Sequence, residues 1–283
     1  MGKNRTGIYS IRIIGESEMT KYFCVFGNPI HHSLSPLMHS YVFEKLQNKL
    51  PFYGFYGRYQ LDDAKDLRKK FFDLKLDGAN ITLPFKKEAF DQCDEALGVA
   101  REIKMINTWV RRDNKICGYN TDADGFFETI KPYGYQTALV LGAGGSARAI
   151  AFILKQKGFD VEVLNRSSHS LKTLQNDFKC YTLQDFKLKA YDLIINATSA
   201  SISNQLPFEK KFLEDIFSCS KMAYDLFYGR KTPFLDLAKQ KNLQTKDGKE
   251  MLIAQGALAF LLFCRLEDKE FLSIVDLMKK VLM

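Results

Sequence analysis

Short apolar runs alternate with longer segments of mixed polarity along most of the chain. The runs are rich in β-branched, leucine and aromatic residues, which predicts buried strands. The predicted strands cover residues 22–26, 53–59, 78–82, 137–141, 161–164, 193–196 and 222–227, with a hairpin at 107–111 and 115–118. Helices are predicted at 36–46, 61–74, from about 84, from about 123, and at 146–157, 232–241, 251–264 and 271–282. Because strands and helices alternate, the pattern predicts an α/β fold with parallel sheets in both halves.

The segment 139–152 has the most informative pattern, because a strand, a glycine turn and a helix follow one another there. Gly142, Gly144 and Gly145 come directly after the apolar strand, and a helix is predicted from Ser146. Glycines let the backbone turn tightly and let a phosphate approach main-chain N–H groups at a helix N-terminus. The spacing is G-x-G-G-x-A, with Ala147 where the dinucleotide-binding fingerprint has its last glycine. The strand before the turn and the helix after it therefore predict a dinucleotide-binding unit.

The next predicted strand ends at Asn165, Arg166 and Ser167. At this place a cofactor with a free 2′-hydroxyl usually meets a carboxylate, whereas a 2′-phosphate is accommodated by an arginine. Since Arg166 is present and no carboxylate is, the sequence favours NADP over NAD. A solvent-exposed loop arginine without a ligand is the alternative interpretation.

Length and composition narrow the class of protein further. The 283 residues suit two domains, and a hydrophobic content of 46% is enough for real cores. The formal charge of +8 comes from cations scattered among acids, so we expect attraction for small anions and no nucleic-acid partner. The six cysteines form no C-x-x-C pair and the four histidines lack further ligands at metal spacing, so no metal site is expected. The isolated cysteines suggest a reducing, cytoplasmic location.

No membrane or secretory segment is expected. The longest apolar run, at about 252–264, is too short to span a bilayer. Residues 1–18 lack the apolar core of a signal peptide and are expected to be a short leader ahead of a core that starts near Met19.

A few polar residues stand where they could carry chemistry. Lys86 follows a strand near a helix N-terminus, where partial positive charge disfavours an ammonium, so its side chain could exchange a proton with a reacting oxygen. Asp122 is the natural counter-charge. From position alone, a solvated lysine at 86 and helix N-caps at Asp122 and Ser35 are the simpler interpretations. Gln255 lies in an apolar segment, and a buried amide requires either backbone or ligand partners.

Nine ordered blocks between residue 22 and the C-terminus resemble the shikimate dehydrogenase family. They are GNPIHHSLSPLMH from Gly27, GANITLPFK from Gly78, INT from Ile106, GYNTDADG from Gly118, LGAGGSARA from Leu141, LNRSS from Leu164, INATS from Ile195, YDLFYGRKTPFL from Tyr224 and DGKEMLIAQGALAF from Asp247. The resemblance implies reversible, NADPH-dependent reduction of 3-dehydroshikimate to shikimate in aromatic amino-acid (chorismate) biosynthesis.

It also implies an α/β fold with an N-terminal substrate domain and a Rossmann-like NADP-binding domain. From where the motifs fall, we expect the substrate domain at 1–122, the dinucleotide domain at 123–248, and the helices of 249–283 returning to the first domain. A ligand site is expected between two such domains. The partners implied are small molecules, with no nucleic acid and no membrane, for a monomer or homodimer.

The resemblance further implies roles for individual residues. The implied catalytic residues are Lys86, as general acid and base, and Asp122, as its partner. The implied substrate-binding residues are Ser33, Ser35 and Tyr228 for the carboxylate, and Thr82, Asn107, Asp122 and Gln255 for the ring hydroxyls. The implied NADP-binding residues are Gly142, Ala143, Gly144, Gly145, Ser146, Asn165, Arg166, Ser167, Thr198, Leu226, Gly248 and Met251.

Several positions depart from the family pattern, although none removes an implied catalytic group. Lys104, Met105 and Ile106 stand where Gly-Ala-Val is usual, which implies an altered backbone approach near Asn107. The other departures are Phe85 for a common histidine, Ser201 for a common glycine, and Ser170 for a second basic residue whose place His169 or Lys172 could take. Two rivals stay open: an NAD-using quinate/shikimate dehydrogenase of the same fold, and an NADP-binding module without turnover.

Overall fold

The structure is a computed structural model that describes residues 19–282, so the leader expected at 1–18 lies outside the described residues. Two six-stranded sheets form its framework. The first sheet contains β1 (Met19–Gly27), β2 (Phe52–Gln60), β3 (Gly78–Ile81), β4 (Glu95–Ala96), β5 (Thr108–Arg112) and β6 (Lys115–Tyr119). The second contains β7 (Thr137–Leu141), β8 (Asp160–Leu164), β9 (Lys179–Tyr181), β10 (Leu193–Asn196), β11 (Met222–Asp225) and β12 (Gln244–Lys246).

Helices connect the strands in both sheets. They are α1 (Ser35–Leu46), α2 (Leu67–Asp73), α3 (Lys86–Gln92), α4 (Val99–Ile103), α5 (Thr121–Ile130), α6 (Gly145–Gln156), α7 (Ser168–Leu171), α8 (Lys210–Ser218), α9 (Pro233–Gln240), α10 (Lys249–Cys264) and α11 (Phe271–Leu282). Short 3₁₀ turns lie at Ala64–Asp66, Lys131–Tyr133 and Asp268–Glu270. Among these described helices, none combines the length and the apolar character needed to cross a membrane.

The first sheet is mixed, which corrects the expectation of parallel strands in both halves. Its order is β2-β1-β3-β5-β6-β4, and β5 runs antiparallel to both β3 and β6. The cause is the predicted hairpin between β5 and β6, which turns at Asp113 and Asn114. The carboxyl ends of β1, β3 and β6 and the amino end of β5 therefore meet at one edge of this sheet.

The second sheet is entirely parallel, as expected. Its order is β12-β11-β10-β7-β8-β9, so successive strands spread in opposite directions from the neighbouring pair β7 and β10. In open α/β sheets a ligand binds outside the carboxyl ends of the strands at such a switch point. The sheet topology therefore predicts a ligand site at the loops that follow β7 and β10.

The last two helices pack against the first sheet. Phe260 of α10 and Ile274 of α11 are buried in one core with Phe23 of β1. In contrast, Phe126 of α5 is buried with Val140 of β7 in the core of the second sheet. Since α5 and α10 also pack against each other, this helix pair connects the two sheets.

Candidate active site

A lysine and a carboxylate form a close pair at the ligand-facing edge of the first sheet. The Nζ atom of Lys86 lies 2.7 Å from Oδ2 of Asp122. Their side chains are only 22% and 19% exposed, so solvent screens this pair less than it screens a surface pair. Asp122 occupies one of the three N–H donors of the ammonium, and the others can meet an oxygen of a ligand.

The start of α5 explains why Asp122 is free to make this contact. Asn120, not Asp122, is the N-cap of the helix, and its side-chain oxygen accepts a hydrogen bond from the N–H of Ala123 at 3.1 Å. The N-cap interpretation of Asp122 is therefore wrong. Ser35 is likewise the first residue of α1 rather than its cap, because the cap position is Leu34.

Asn107 lies at the centre of a buried polar network beside the pair. Its Oδ1 accepts from the backbone N–H of Thr121 at 2.8 Å, and its Nδ2 donates to the hydroxyl of Thr121 at 3.0 Å. It also donates to the side-chain oxygen of Gln255 at 3.5 Å, and Gln255 donates to the carbonyl of Leu252 at 2.8 Å. The network thus connects β5, α5 and α10 directly next to Asp122.

Asn80 extends this network, and the sequence analysis missed it. Its Nδ2 donates to the hydroxyl of Thr108 at 3.0 Å, while its Oδ1 accepts from the hydroxyl of Tyr56 at 2.6 Å. An asparagine within the buried strand β3 was the available signal, because a buried amide needs partners. Asn120 and Thr121 were missed because they act on other residues: Asn120 caps α5, and Thr121 holds the side chain of Asn107.

The loops after β1 and β3 bring Ser33, Ser35 and Thr82 to the same edge. The N–H of Asn28 donates to the carbonyl of Leu83 at 3.1 Å, which joins the two loops. A Cβ atom built at Gly27 would lie 2.6 Å from the methyl carbon of Thr82, so only glycine fits there without displacement. The hydroxyl oxygen of Ser33 accepts from the N–H of Ser35 at 3.3 Å.

Tyr228 comes from the other half of the chain. It lies in the loop after β11, is half-buried, and has no hydrogen-bond partner among residues 19–282. Burial raises the pKa of Tyr228, so its hydroxyl stays protonated at neutral pH and can donate to an anion.

The glycine turn follows β7 at the switch point of the second sheet. Gly142 has a φ of +113°, and a Cβ atom there would lie 3.1 Å from the methyl carbon of Thr198. The N-terminus of α6 is open: Gly144, Gly145 and Ser146 are exposed, and no atom lies within 4 Å of the Cβ position of Gly144. Ala143, which precedes Gly144, is partly buried. A pyrophosphate can therefore approach the exposed N–H groups at this helix end.

The end of β8 presents an unpaired cation. Arg166 is exposed and has no ion pair or hydrogen bond within the described part of the chain. Next to it, Asn165 donates its side-chain amide to the carbonyl of Ser167 at 3.0 Å, which fixes the turn into α7. A cationic loop end without a carboxylate fits a 2′-phosphate better than a free ribose hydroxyl.

The remaining NADP-binding candidates lie around the ends of β10, β11 and β12. The hydroxyl of Thr198 donates to Oδ1 of Asn196 at 2.7 Å, which holds it against the glycine turn. A Cβ atom at Gly248 would lie only 2.1 Å from the carbonyl oxygen of Leu226, so these two backbones touch. Met251 and Leu226 both pack against the core of the second sheet.

The departures from the family pattern at 104–106 have structural consequences. Lys104 adopts a left-handed backbone with φ +54° at the end of α4. The terminal methyl of Met105 lies 3.3 Å from the Cβ position of Gly145. A side chain from the first half of the chain therefore contacts the glycine turn of the second.

Residues 19–282 contain no group of three or more His, Cys, Asp or Glu side chains placed to hold a metal ion. One sheet edge has a lysine–carboxylate pair and the other an open glycine turn at a helix N-terminus, which is the arrangement of an α/β dinucleotide-binding protein.

Comparison with known proteins identifies the family. The profile of the shikimate dehydrogenase substrate binding domain matches residues 25–109, and that of shikimate / quinate 5-dehydrogenase matches residues 128–227. A shikimate dehydrogenase (NADP(+)) from Helicobacter hepaticus is 49% identical over 251 residues, covering 87% of this chain and 92% of that protein. The chain belongs to the shikimate dehydrogenase family.

A more distant relative and a solved structure agree. A shikimate dehydrogenase (NADP(+)) from Prochlorococcus marinus is 35% identical, covering 84% of this chain and 90% of that protein. The crystal structure of shikimate 5-dehydrogenase from Thermus thermophilus in complex with NADP(H) and shikimate superposes with a TM-score of 0.79 at 32% identity, covering 92% of this chain and 99% of that one. The family expected from the nine sequence blocks is confirmed.

Proposed function

We propose that this chain is an NADP-dependent shikimate dehydrogenase, which reduces 3-dehydroshikimate reversibly to shikimate in the chorismate route to aromatic amino acids. The observation that carries the proposal is the pair of Lys86 and Asp122, whose polar atoms lie 2.7 Å apart at the edge where the first sheet presents its loops. The names of the relatives at 49% and 35% identity support the substrate and the cofactor.

The residues present fit NADP. The open N–H groups of Gly144, Gly145 and Ser146 would hold the pyrophosphate, and the free cation of Arg166 would hold the 2′-phosphate. Thr198, Leu226, Gly248 and Met251 would line the nicotinamide half. When bound, NADPH supplies the hydride, and the protein supplies binding, orientation and electrostatics.

The substrate is proposed to bind by its polar groups. Hydroxyls of Ser33, Ser35 and Tyr228 would donate to the carboxylate, and the protonated state of Tyr228 suits this task. Thr82, Asn107 and Gln255 would bind the ring hydroxyls. Asn107 is already fixed by Thr121, so the pocket would orient the ring without reorganising, which lowers the entropic part of the barrier.

Lys86 is proposed to be the general acid in the reducing direction and the general base in the other. Its ammonium would donate a proton to the carbonyl oxygen of the substrate as negative charge develops there. Asp122 would hold the ammonium in place and stabilise its charge between turnovers. General acid–base catalysis by one side chain typically raises the reaction rate about a hundred- to ten-thousand-fold.

The direct test follows NADP reduction in a mixture of shikimate and NADP, with Lys86→Ala as the variant. We expect kcat to fall by about 10²- to 10⁴-fold with little change in the KM for shikimate. Lys87→Ala is the matched control, because Lys87 is the exposed neighbour and pairs with Asp91 at 2.6 Å on the helix surface. A large KM change at near-normal kcat would reject the role of Lys86.

The same assay distinguishes the two alternative functions, a quinate/shikimate dehydrogenase that uses NAD and an NADP-binding module without turnover. Quinate with NAD, run beside shikimate with NADP, identifies the broader dehydrogenase, and Arg166 is the feature that argues against it. No turnover with either pair would favour the NADP-binding module, which the presence of both Lys86 and Asp122 argues against.

Three further features belong to the proposal. The substrate domain would comprise 1–122 with 249–283, and the dinucleotide domain 123–248, in keeping with the two cores. The enzyme would act in the cytoplasm, since all six cysteines are free thiols. It would be a monomer or homodimer.

A further inference from the structure

A buried serine joins two loops that carry proposed ligand-binding residues. Ser201 lies in the loop after β10, three residues beyond Thr198, and is 0% exposed. Its hydroxyl donates to Oδ2 of Asp225 at 2.6 Å and accepts from Nδ2 of Asn196 at 3.0 Å. The hydroxyl therefore donates one hydrogen bond and accepts another inside the protein.

Asp225 is the residue after which the second loop, residues 226–232, begins. It is the last residue of β11, is 0% exposed, and precedes Leu226 and Tyr228. Its carboxylate also accepts from the hydroxyl of Thr232 at 2.9 Å and from the N–H of Phe227 at 3.1 Å. A buried carboxylate is stable only when its lone pairs meet donors, so the loss of any of these donors should lower the stability of the fold.

A second connection joins the same two loops at the surface. Nη2 of Arg230 donates to the carbonyl of Ser201 at 3.0 Å and also to the carbonyl of Ile202. The guanidinium packs over the ring of Phe227 at 5.2 Å, which keeps it in position. The loop of residues 197–204 is thus bound to the loop of residues 226–232 from inside by Ser201 and from outside by Arg230.

The inner connection depends on the hydroxyl of Ser201. A glycine at 201 has no hydroxyl and would leave Asp225 with one donor fewer and the amide of Asn196 without this acceptor. We propose that Ser201 is a positioning residue that fixes Thr198 relative to Leu226 and Tyr228, so that NADP and the substrate carboxylate are held by one connected unit. This inference rests on the proposed function.

The test compares Ser201→Gly with wild-type enzyme by calorimetry of NADP in the absence of shikimate. A net hydrogen bond typically changes an equilibrium by about two- to tenfold, so we expect the Kd for NADP to rise by about that factor. The KM for shikimate should rise similarly, because Tyr228 shifts with its loop. The kcat should change less, because Lys86 and Asp122 belong to α3 and α5 rather than to either loop. Ser203→Ala, an exposed serine of the same loop, should leave all three constants unchanged.

Thr232→Val separates positioning from general stability. Thr232 donates to the same carboxylate oxygen but is the N-cap of α9, so its loss leaves both hydrogen bonds of Ser201 in place. We expect it to lower the melting temperature at least as much as Ser201→Gly, yet to leave the Kd for NADP within about twofold of wild type. Equal rises in Kd at equal loss of melting temperature would overturn the proposal.

Arg230→Met keeps the proposal testable if Ser201→Gly does not fold. Arg230 is exposed, so its loss leaves the buried network intact, and we expect the same direction of change in the Kd for NADP. Unchanged Kd and KM in Arg230→Met, or in a folded Ser201→Gly, would overturn the role of the loop connection. Failure of the wild-type enzyme to bind NADP would instead overturn the proposed function.

Discussion

Lys86 and Lys87 are neighbours of the same type, and their surroundings separate them. Lys86 is mostly buried and meets a carboxylate from another element, whereas Lys87 meets Asp91 one helical turn later on the exposed face of α3. An exposed i,i+4 pair contributes little, about 0.3–0.5 kcal/mol. The surroundings of the Lys86 pair, rather than the residue type, make it the candidate for proton transfer.

Arg166→Ala tests the 2′-phosphate contact directly. Because Arg166 has no partner among the described residues, its loss should cost NADP a charge-assisted bond and NAD nothing. We expect the Kd for NADP to rise about 10- to 150-fold, since a hydrogen bond to a charged group contributes about 1.5–3 kcal/mol. Calorimetry with both cofactors measures this, and NAD is the internal control. Equal weakening of both would contradict the contact.

Lys104→Gly should stabilise the protein. Lys104 has φ +54°, a region in which a Cβ atom costs roughly 1–2 kcal/mol and glycine costs nothing sterically. Part of this gain is offset by the larger entropy of glycine in the unfolded chain, so we expect about 0.5–1 kcal/mol. Denaturant unfolding measures the change. Lys104→Ala keeps the Cβ atom and should show no such gain; if it does, backbone strain is not the cause.

The elements that the sequence predicted correctly are those whose signal is local. Apolar runs identified β7, β8, β10 and β11, and the hairpin pattern identified β5 and β6. The two- and three-residue strands β4, β9 and β12 were missed, because strands this short and partly exposed show no alternation of apolar and polar residues. The antiparallel direction of β5 against β3 was also missed, since strand direction depends on pairing between distant residues.

The site divides in the same way. Residue types and motif order predicted which residues lie at the sheet edges. The roles proposed for these residues come from the family resemblance. The local pattern could not predict that Asn120 caps α5 in place of Asp122, because both residue types favour that position. It could not predict the contact of Ser201 with Asp225 either, because 24 residues separate them along the chain.

Asp192 shows how one carboxylate holds strand ends together. It lies just before β10 and accepts from the N–H groups of Gln136 and Thr137 at 2.9 and 3.0 Å, and from Lys221, which precedes β11. Burial alone would raise the pKa of Asp192, but hydrogen bonds from Lys221, Gln136 and Thr137 outweigh it and lower the pKa to about 2. The amino ends of β7, β10 and β11 thus share one charged acceptor.

Asp192→Asn should therefore change how stability depends on pH. A carboxyl whose folded pKa lies below its unfolded value of 3.8 stabilises the fold above about pH 4, and this stability is lost as the pH falls towards 2. We expect the variant to lose about 2 kcal/mol in the free energy of unfolding at pH 7, and the gap from wild type to narrow between pH 4 and 2. Denaturant unfolding across this range measures it; a gap that stays constant would contradict the assignment.

At the scale of the whole molecule, the proposed active site takes residues from both halves of the chain, and the helix pair α5 and α10 connects the two sheets. The core around Phe126 belongs to α5 and the second sheet, and the core around Phe260 belongs to α10 and the first sheet. The two helices approach so closely that a Cβ atom at Gly125 would lie 2.6 Å from the backbone nitrogen of Gln255. Asp122 and Gln255 belong to these same helices, so the contact that connects the sheets also sets the positions of two residues of the proposed substrate site.

Gly125→Ala tests this coupling. The added methyl meets backbone of α10 rather than a flexible side chain, so the helices must move apart, and overpacking of this kind typically costs about 1–3 kcal/mol. Because Gln255 moves with α10, we expect the KM for shikimate to rise in the folded variant, along with a lower melting temperature. The matched control is Gly57→Ala in β2, where nothing lies within 4 Å of the new methyl and both quantities should stay near wild type. If Gly125→Ala lowered the melting temperature but left the KM for shikimate unchanged, the contact would hold the sheets together without shaping the pocket.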